Sequence, residues 1–173
     1  MLLAHLHGMA PPPDMRVDHG GSARLHAEIL TILKDCPQEE ASRLAAIIPA
    51  IHVPPVDRPV PLHGDPVPGN IIRNGTKLAL IDWQCPRLGD PADDIALFLS
   101  PAMQHLYRGN PLSDAEQASF LAAYPHCYTR QRFEVLKPLF HLRMAAHCLW
   151  KTSRGAVEYA DALSLELAAF PAG

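Results

Sequence analysis

The run Leu62-His63-Gly64-Asp65-Pro66-Val67-Pro68-Gly69-Asn70 decides how this chain is read, together with Leu80-Ile81-Asp82-Trp83 and Gly89-Asp90-Pro91-Ala92-Asp93-Asp94 downstream. Gly64, Pro66, Pro68 and Gly69 keep the first stretch from becoming helix. Such a loop can turn Asp65 and Asn70 toward one cavity. Between Asn70 and Asp82, the pattern Ile71-Ile72-Arg73, Asn74-Gly75, then Thr76 to Ile81 predicts a hairpin. Asn-Gly there supplies the two positive-φ positions of a type I′ turn. A hairpin's ends lie together, so Asp82 should return beside Asp65 and Asn70.

Three oxygen-bearing side chains in one place suit a divalent cation and a hydroxyl. Magnesium takes hard oxygen ligands, usually one or two protein carboxylates with phosphate oxygens and waters. Phosphoryl transfer needs an orienting base for the attacking hydroxyl and cations on the phosphates, and little covalent help. On that reasoning Asp65 faces the hydroxyl, and Asn70 and Asp82 face the metal. A single Asp in a Pro/Gly loop commonly makes only an Asx-turn. The combination at compatible spacings is what carries the functional reading.

Outward from this centre the period becomes helical. Leu2, Leu3 and Leu6 share one face of a helix over residues 2–9, which Pro11-Pro12-Pro13 ends. Ser22 is placed to cap a helix over 23–34, with Leu25, Ile29, Ile32 and Leu33 inward. Pro37, Glu39 and Glu40 open a third helix that buries Leu44, Ile47 and Ile48 and stops at Pro49. The proline-rich stretch 51–61 should be an extended connector.

Beyond the hairpin, Asp90 caps a helix with Pro91 at its first position, and Ser100-Pro101 restarts a short one ending at Gly109. Ser113 with Glu116 forms a capping box. A long helix over roughly 129–151 contains Pro138, where a kink is expected. Ser153 should cap a last helix with a buried stripe of Val157, Ala160, Leu163, Leu167 and Phe170.

The fold class is therefore mainly α (α+β): one domain over 1–173, helical around a small hairpin. The catalytic loop spans 62–70, the hairpin 71–82 and the helical remainder 90–170.

The motifs His63-Gly64-Asp65-x-x-x-x-Asn70, Ile81-Asp82-Trp83 and Gly89-Asp90-Pro91-x-x-Asp94-Ile95-Ala96 resemble the signature of the aminoglycoside phosphotransferase and choline kinase family. Those are small-molecule kinases with a protein-kinase-like fold. Leu3-Ala4-His5-Leu6-His7 is similar to the helix that leads into their C-terminal lobe. The resemblance implies that Asp65 is the catalytic base and that Asn70 and Asp82 bind Mg²⁺. It also implies that Asp94 braces the catalytic loop, beside a structural His63. ATP would be the co-substrate, and a small hydroxyl compound such as an aminoglycoside, amino alcohol or sugar the acceptor. Asp114, Glu116, Glu158 and Asp161 are the acidic residues that a cationic acceptor could meet.

The chain departs from the family pattern at Val67, where His is common, and at Gln84, where an acid is common. Its residues also contain no G-x-G-x-x-G turn, and Lys34, Lys77, Lys137 and Lys151 fall on helices or the hairpin. The expectation is a C-terminal lobe with the N-terminal lobe absent. It would pair with a separate N-terminal lobe or self-associate through an exposed apolar face. The alternative is a truncated, non-catalytic remnant or binding lobe that needs a separate N-lobe for activity.

Composition narrows the rest. Hydrophobic residues at 48% and charged ones at 19% describe a globular, soluble protein. A net charge of -3 with no Lys/Arg run argues against nucleic acid. Cys36, Cys85, Cys127 and Cys148 are far apart, so free thiols in a cytoplasmic protein are expected. No apolar run approaches a membrane span. His141 and His147, six apart, project from different helix faces and cannot share a metal. No G-x-S-x-G elbow supports a hydrolase.

Overall fold

A computed structural model describes residues 1–170. Eight helices and two small antiparallel sheets run in the order α1 (Leu2–His7), α2 (Ser22–Leu33), α3 (Gln38–Ala46), β1 (Val60–Leu62), β2 (Ile71–Asn74), β3 (Lys77–Leu80), β4 (Arg87–Gly89), α4 (Pro91–Leu99), α5 (Pro101–Arg108), α6 (Asp114–Ala123), α7 (Cys127–Thr152) and α8 (Tyr159–Ala169). A single 3₁₀ turn at Pro68–Asn70 precedes β2. Helices dominate, as the sequence predicts. Among the described residues no helix is long and apolar enough to cross a membrane.

The core is built on α7, against which α2, α4 and α8 pack. Leu25, Ile29 and Leu33 of α2 recur every four residues, so one stripe meets Leu136, Leu139, Phe140 and Leu142 of α7 and Ile95 and Leu99 of α4. α7 runs unbroken through Pro138, as 26 residues. A second cluster joins Val67, beside the candidate site, to Ala102, Met103, Met144, Cys148 and Ala162.

Several caps are as expected. Asp90 accepts the Ala92 N–H at 3.1 Å with Pro91 next to it, and Ser113 with Glu116 closes a full capping box. Gly109 ends α5 at φ 93°. Others differ. Gly21, at φ 90°, is the residue before α2, and Ser22 sits inside the helix. Its hydroxyl instead donates to the Val53 carbonyl and accepts the Val53 N–H, tying the connector to α2. Pro37 caps α3 rather than opening it.

Ser153 is the C-cap of α7, and the residue before α8 is Glu158. Val157 is 75% exposed, and α8 turns inward Ala162 and the carboxylate residue Glu166. Of the expected stripe, Leu163 and Phe170 pack against the core while Val157, Ala160 and Leu167 are exposed. Glu166 is buried by bonding, accepting from Ser100 Oγ, the Ala102 N–H and His141 Nδ1. An apolarity pattern cannot anticipate a residue buried for that reason.

The connector 51–61 is extended until Val60, where it becomes β1 and pairs with β4 in the register Val60↔Gly89, Pro61↔Leu88, Leu62↔Arg87. That ladder has a consequence for the site. Residues 63–86, including the hairpin, form one excursion whose two ends are clamped together at Leu62↔Arg87. The hairpin forms with Asn74↔Lys77 as its last pair, leaving Gly75-Thr76 as the turn. Gly75 alone has positive φ, 60°. The loop thus follows the type II′ pattern, one residue later than the expected I′ turn.

Candidate active site

Asp65 lies just past β1, and three supports fix its loop. Asp94, in the first turn of α4, is 1% exposed. Its Oδ2 accepts the His63 N–H at 2.9 Å and its Oδ1 accepts the Gly64 N–H at 2.9 Å. A third donor reaches it from α1, His7 Nε2 at 3.1 Å, while His7 Nδ1 lies 2.8 Å from the Tyr124 hydroxyl. The Tyr124 phenol is pushed up to about 12, by burial first and by Asp94 and Asp90 in addition, despite a hydrogen bond from Thr129. It therefore stays a hydroxyl at neutral pH. When it donates to Nδ1, the ring proton of His7 is left on Nε2, facing Asp94.

His63 is fully buried and works as a strut. Its Nδ1 accepts the Asp65 N–H at 3.3 Å, so Nε2 carries the proton donated to the Ile81 carbonyl at 2.9 Å. The ring thereby joins the loop to the residue before Asp82, and Trp83 packs edge-on against it at 4.5 Å. Gly64 is obligatory here. At φ 83° it is in the left-handed region, and a Cβ would come 2.2 Å from the Cys85 carbonyl oxygen.

Asn70 is brought back onto Asp65 by the 3₁₀ turn. Its Nδ2 donates to the Asp65 carbonyl at 2.9 Å and to Asp65 Oδ2 at 3.1 Å. The Asn70 carbonyl accepts the Ile81 N–H at 3.0 Å, which places Asp82 next to Asn70. Asp82 is exposed and adopts φ 62°, a conformation Asp tolerates better than most residues. The structure thus brings Asp65, Asn70 and Asp82 into one neighbourhood, with His63 and Asp94 behind them.

The electrostatics agree with that placement. Burial pushes the Asp65 carboxyl above its ordinary value, and the charges of Asp82 and Asp94 push the same way. His63 and the Asn70 hydrogen bond pull against them. Asn70 Oδ1 and the Asp82 carboxylate accept no hydrogen bond from the described residues, which leaves two hard oxygen donors directed at no protein partner. Their chemistry fits Mg²⁺, which takes few protein ligands and keeps phosphate oxygens and waters. No three His, Cys, Asp or Glu side chains converge among the described residues.

A cleft of about 700 Å³ opens from Asp65 and Gly64, bounded by Gln84–Arg87, α2 and α7. The acidic residues Asp114, Glu116, Glu158 and Asp161 do not line it. Glu116 is committed to Ser113 and Arg108. The cleft is lined instead by Arg16, Arg24, Arg87 and Arg143 with Asp18, Glu28 and Asp93. Nothing in the sequence pattern singled these residues out, because they meet from four separate segments. Tyr107 was also missed. Its ring covers Gly69, where a Cβ would be 2.5 Å from Cδ1. Its phenol is raised, by burial first and then by Asp65 and Asp82.

A sequence model of the phosphotransferase enzyme family matches residues 1–139, which include His63, Asp65, Asn70, Asp82 and Asp94 but not Arg143 of the cleft. The chain belongs to that family. No curated protein matches it in sequence. Among solved structures it is similar to a choline/ethanolamine kinase family protein from Mesorhizobium loti, at 16% identity and a TM-score of 0.55. That likeness covers 97% of this chain and 63% of the other. A spectinomycin phosphotransferase solved with ADP and spectinomycin aligns at 14% identity and a TM-score of 0.49, over 98% of this chain and 59% of that one. The chain thus spans under two thirds of either structure's length. The likeness to the Mesorhizobium protein concerns the fold.

Proposed function

We propose that this phosphotransferase chain carries the acceptor-activating and metal-binding half of a Mg·ATP-dependent small-molecule kinase. The observation that carries the reading is Asp65, oriented by Asn70, with the excess oxygens of Asn70 and Asp82 beside it and a cleft in front. Asp65 accepts the proton of the acceptor hydroxyl as its oxygen bonds to the γ-phosphorus of ATP and ADP leaves. Asn70 Oδ1 and Asp82 would hold Mg²⁺, which supplies charge neutralisation on the phosphates. Asp94 acts through backbone, holding the His63 and Gly64 amides so that Asp65 keeps its orientation. His63 positions the Asp82 turn through Ile81.

The hairpin supports a lobe that works against a nucleotide-binding partner. Ile72 and Leu78 stand on opposite faces of β2–β3 and are each about half exposed, as are Ile81 and Trp83 nearby. A two-stranded ribbon open on both faces is marginal by itself. Apolar groups beside the metal ligands suit a covering surface that excludes water from the phosphates.

The test measures transfer of labelled γ-phosphate from ATP to a panel of amino alcohols, sugars and hydroxy acids. It uses the chain alone and with a glycine-rich nucleotide-binding lobe added. Transfer that depends on Mg²⁺ and disappears in Asp65→Asn is expected with the lobe present. Absence of transfer to every acceptor under both conditions would remove the proposal.

A further inference from the structure

We infer that the acceptor hydroxyl belongs to an anionic compound whose acid group is held by the arginines of the cleft. This rests on Asp65 being the residue that meets the hydroxyl. The argument is one of unmatched donors. Each carboxylate in the cleft other than Asp65 is already engaged by guanidinium groups. Asp93, 3% exposed, receives Arg24 Nη2 at 2.6 Å and Arg87 Nη2 at 3.1 Å, with Arg143 Nη1 at 3.6 Å. Glu28 receives Arg24 Nη1 at 2.5 Å and has Arg143 Nη1 at 3.5 Å. Asp18 accepts the Gly20 N–H at 3.0 Å and has Arg24 Nε at 3.3 Å.

The donors, by contrast, are not used up. Arg87 Nε is buried with no hydrogen-bond acceptor, its ion-pair oxygen Asp18 Oδ2 standing at 3.9 Å, and Arg24 Nε reaches Asp18 Oδ1 at 3.3 Å without hydrogen-bond geometry. Arg16 makes no ion pair or side-chain hydrogen bond with the described residues, and Arg143 stands beyond good hydrogen-bonding distance of both its carboxylates. Apart from Asp65, the cleft is lined by four guanidinium groups and three carboxylates. A cationic acceptor would have to displace a guanidinium from an existing pair. An oxyanion finds free N–H groups, and a planar fork suits carboxylate and phosphate alike.

Arg87 also adjoins Gly64, the residue before Asp65. Its Nη1 would be 2.9 Å from a Cβ at Gly64. An acid group there leaves a hydroxyl on the next carbons within reach of Asp65, and about 700 Å³ suits a molecule of that size.

The test is calorimetric titration of the chain with D-glycerate, glycerol 3-phosphate, glycerol and choline. At least one anion is expected to bind at least tenfold more tightly than glycerol or choline. Which of the two binds more tightly identifies carboxylate or phosphate as the acid group. Arg16→Glu, at an exposed residue without partners, should keep the parent melting temperature and weaken that anion by about tenfold. Arg87→Gln should likewise weaken that anion where circular dichroism shows it folded, at a lower melting temperature because it leaves Asp93 short of a partner. Choline binding as tightly as both anions would overturn the inference. So would failure of both anions to bind, or unchanged affinity in Arg16→Glu and in a folded Arg87→Gln. Loss of glycerate binding in saturating Mg·ADP would also overturn it, since the arginines would then serve the nucleotide. Asp65→Asn separates the two readings. Arginine-dependent anion binding without phosphate transfer sinks the kinase and leaves the anion pocket. Transfer to choline without anion binding does the reverse.

Discussion

Replacing Asp94 by Asn tests the link between helical core and catalytic loop. The carboxylate spends one oxygen on the His63 N–H and the other on the Gly64 N–H, both at 2.9 Å, with His7 Nε2 as a further donor. An asparagine of the same shape offers one oxygen and one NH₂. One backbone N–H must then face another donor at a position 1% exposed, where no water can substitute. A hydrogen bond to a charged group contributes about 1.5–3 kcal/mol, and an unmet buried donor costs about 1–3 kcal/mol. Because those two figures overlap, a loss of about 3 kcal/mol is the working value. If the loss is global, the melting temperature of a chain of this length falls by about 6–12 °C. If it stays local, the His63 and Gly64 amides lose about a hundredfold in exchange protection. Residue-resolved hydrogen exchange with a thermal melt separates the cases. Amides within about threefold of the parent, at an unchanged melting temperature, would refute the brace.

Gly64→Ala places a Cβ 2.2 Å from the Cys85 carbonyl oxygen at φ 83°, against backbone that the Leu62↔Arg87 pair prevents from retreating. Urea unfolding should show a loss of about 2–4 kcal/mol. Glu166→Ala leaves Ser100 Oγ, the Ala102 N–H and His141 Nδ1 without their acceptor and should cost about 3–5 kcal/mol by the same measurement. Asp93 gives a pH signature. Burial pushes its carboxyl up, but Arg143, Arg24 and Arg87 together outweigh that and hold it below the usual 3.8. Its stabilisation is complete above about pH 4 and is lost as pH falls through the depressed folded value. Asp93→Asn should therefore be less stable at neutral pH, with the gap narrowing under acid, as melts from pH 7 downward would show. Asp65, raised by burial, must be ionised to accept a proton. The acid limb of the rate profile should accordingly fall above 3.8, the ordinary value.

What was legible in the sequence was whatever short-range chemistry decides. Asp90-Pro91, Ser113…Glu116 and the four-residue recurrence of Leu25, Ile29 and Leu33 each specify their structure within a turn or two. The proximity of Asp65, Asn70 and Asp82 was legible because the three lie within 20 residues and a hairpin must bring its ends together. The β1–β4 ladder was not, since Val60-Pro61-Leu62 carries a proline and no alternation, and its partner lies beyond the hairpin. Nor was Glu166, whose burial is decided by Ser100 and His141 on other helices.

The same contrast bears on specificity. Asp65, Asn70 and Asp82 are held by local geometry, and His63 with Asp94 supports them through backbone atoms, so side chains elsewhere can vary without moving the Asp65 carboxylate. The cleft in front is different. Arg16 precedes α2, Arg24 lies on it, Arg87 begins β4 and Arg143 sits within α7. The common focus of the last three, Asp93, neighbours Asp94 in the first turn of α4. The helix that steadies the catalytic loop through Asp94 therefore also gathers the cleft's charges through Asp93. Substitutions at Asp93 should alter acceptor affinity and stability while leaving the His63 and Gly64 amides protected. Substitutions at Asp94 should instead expose those amides and leave anion affinity unchanged. If the two positions instead showed the same exchange and binding phenotype, loop support and acceptor recognition would be a single function of α4.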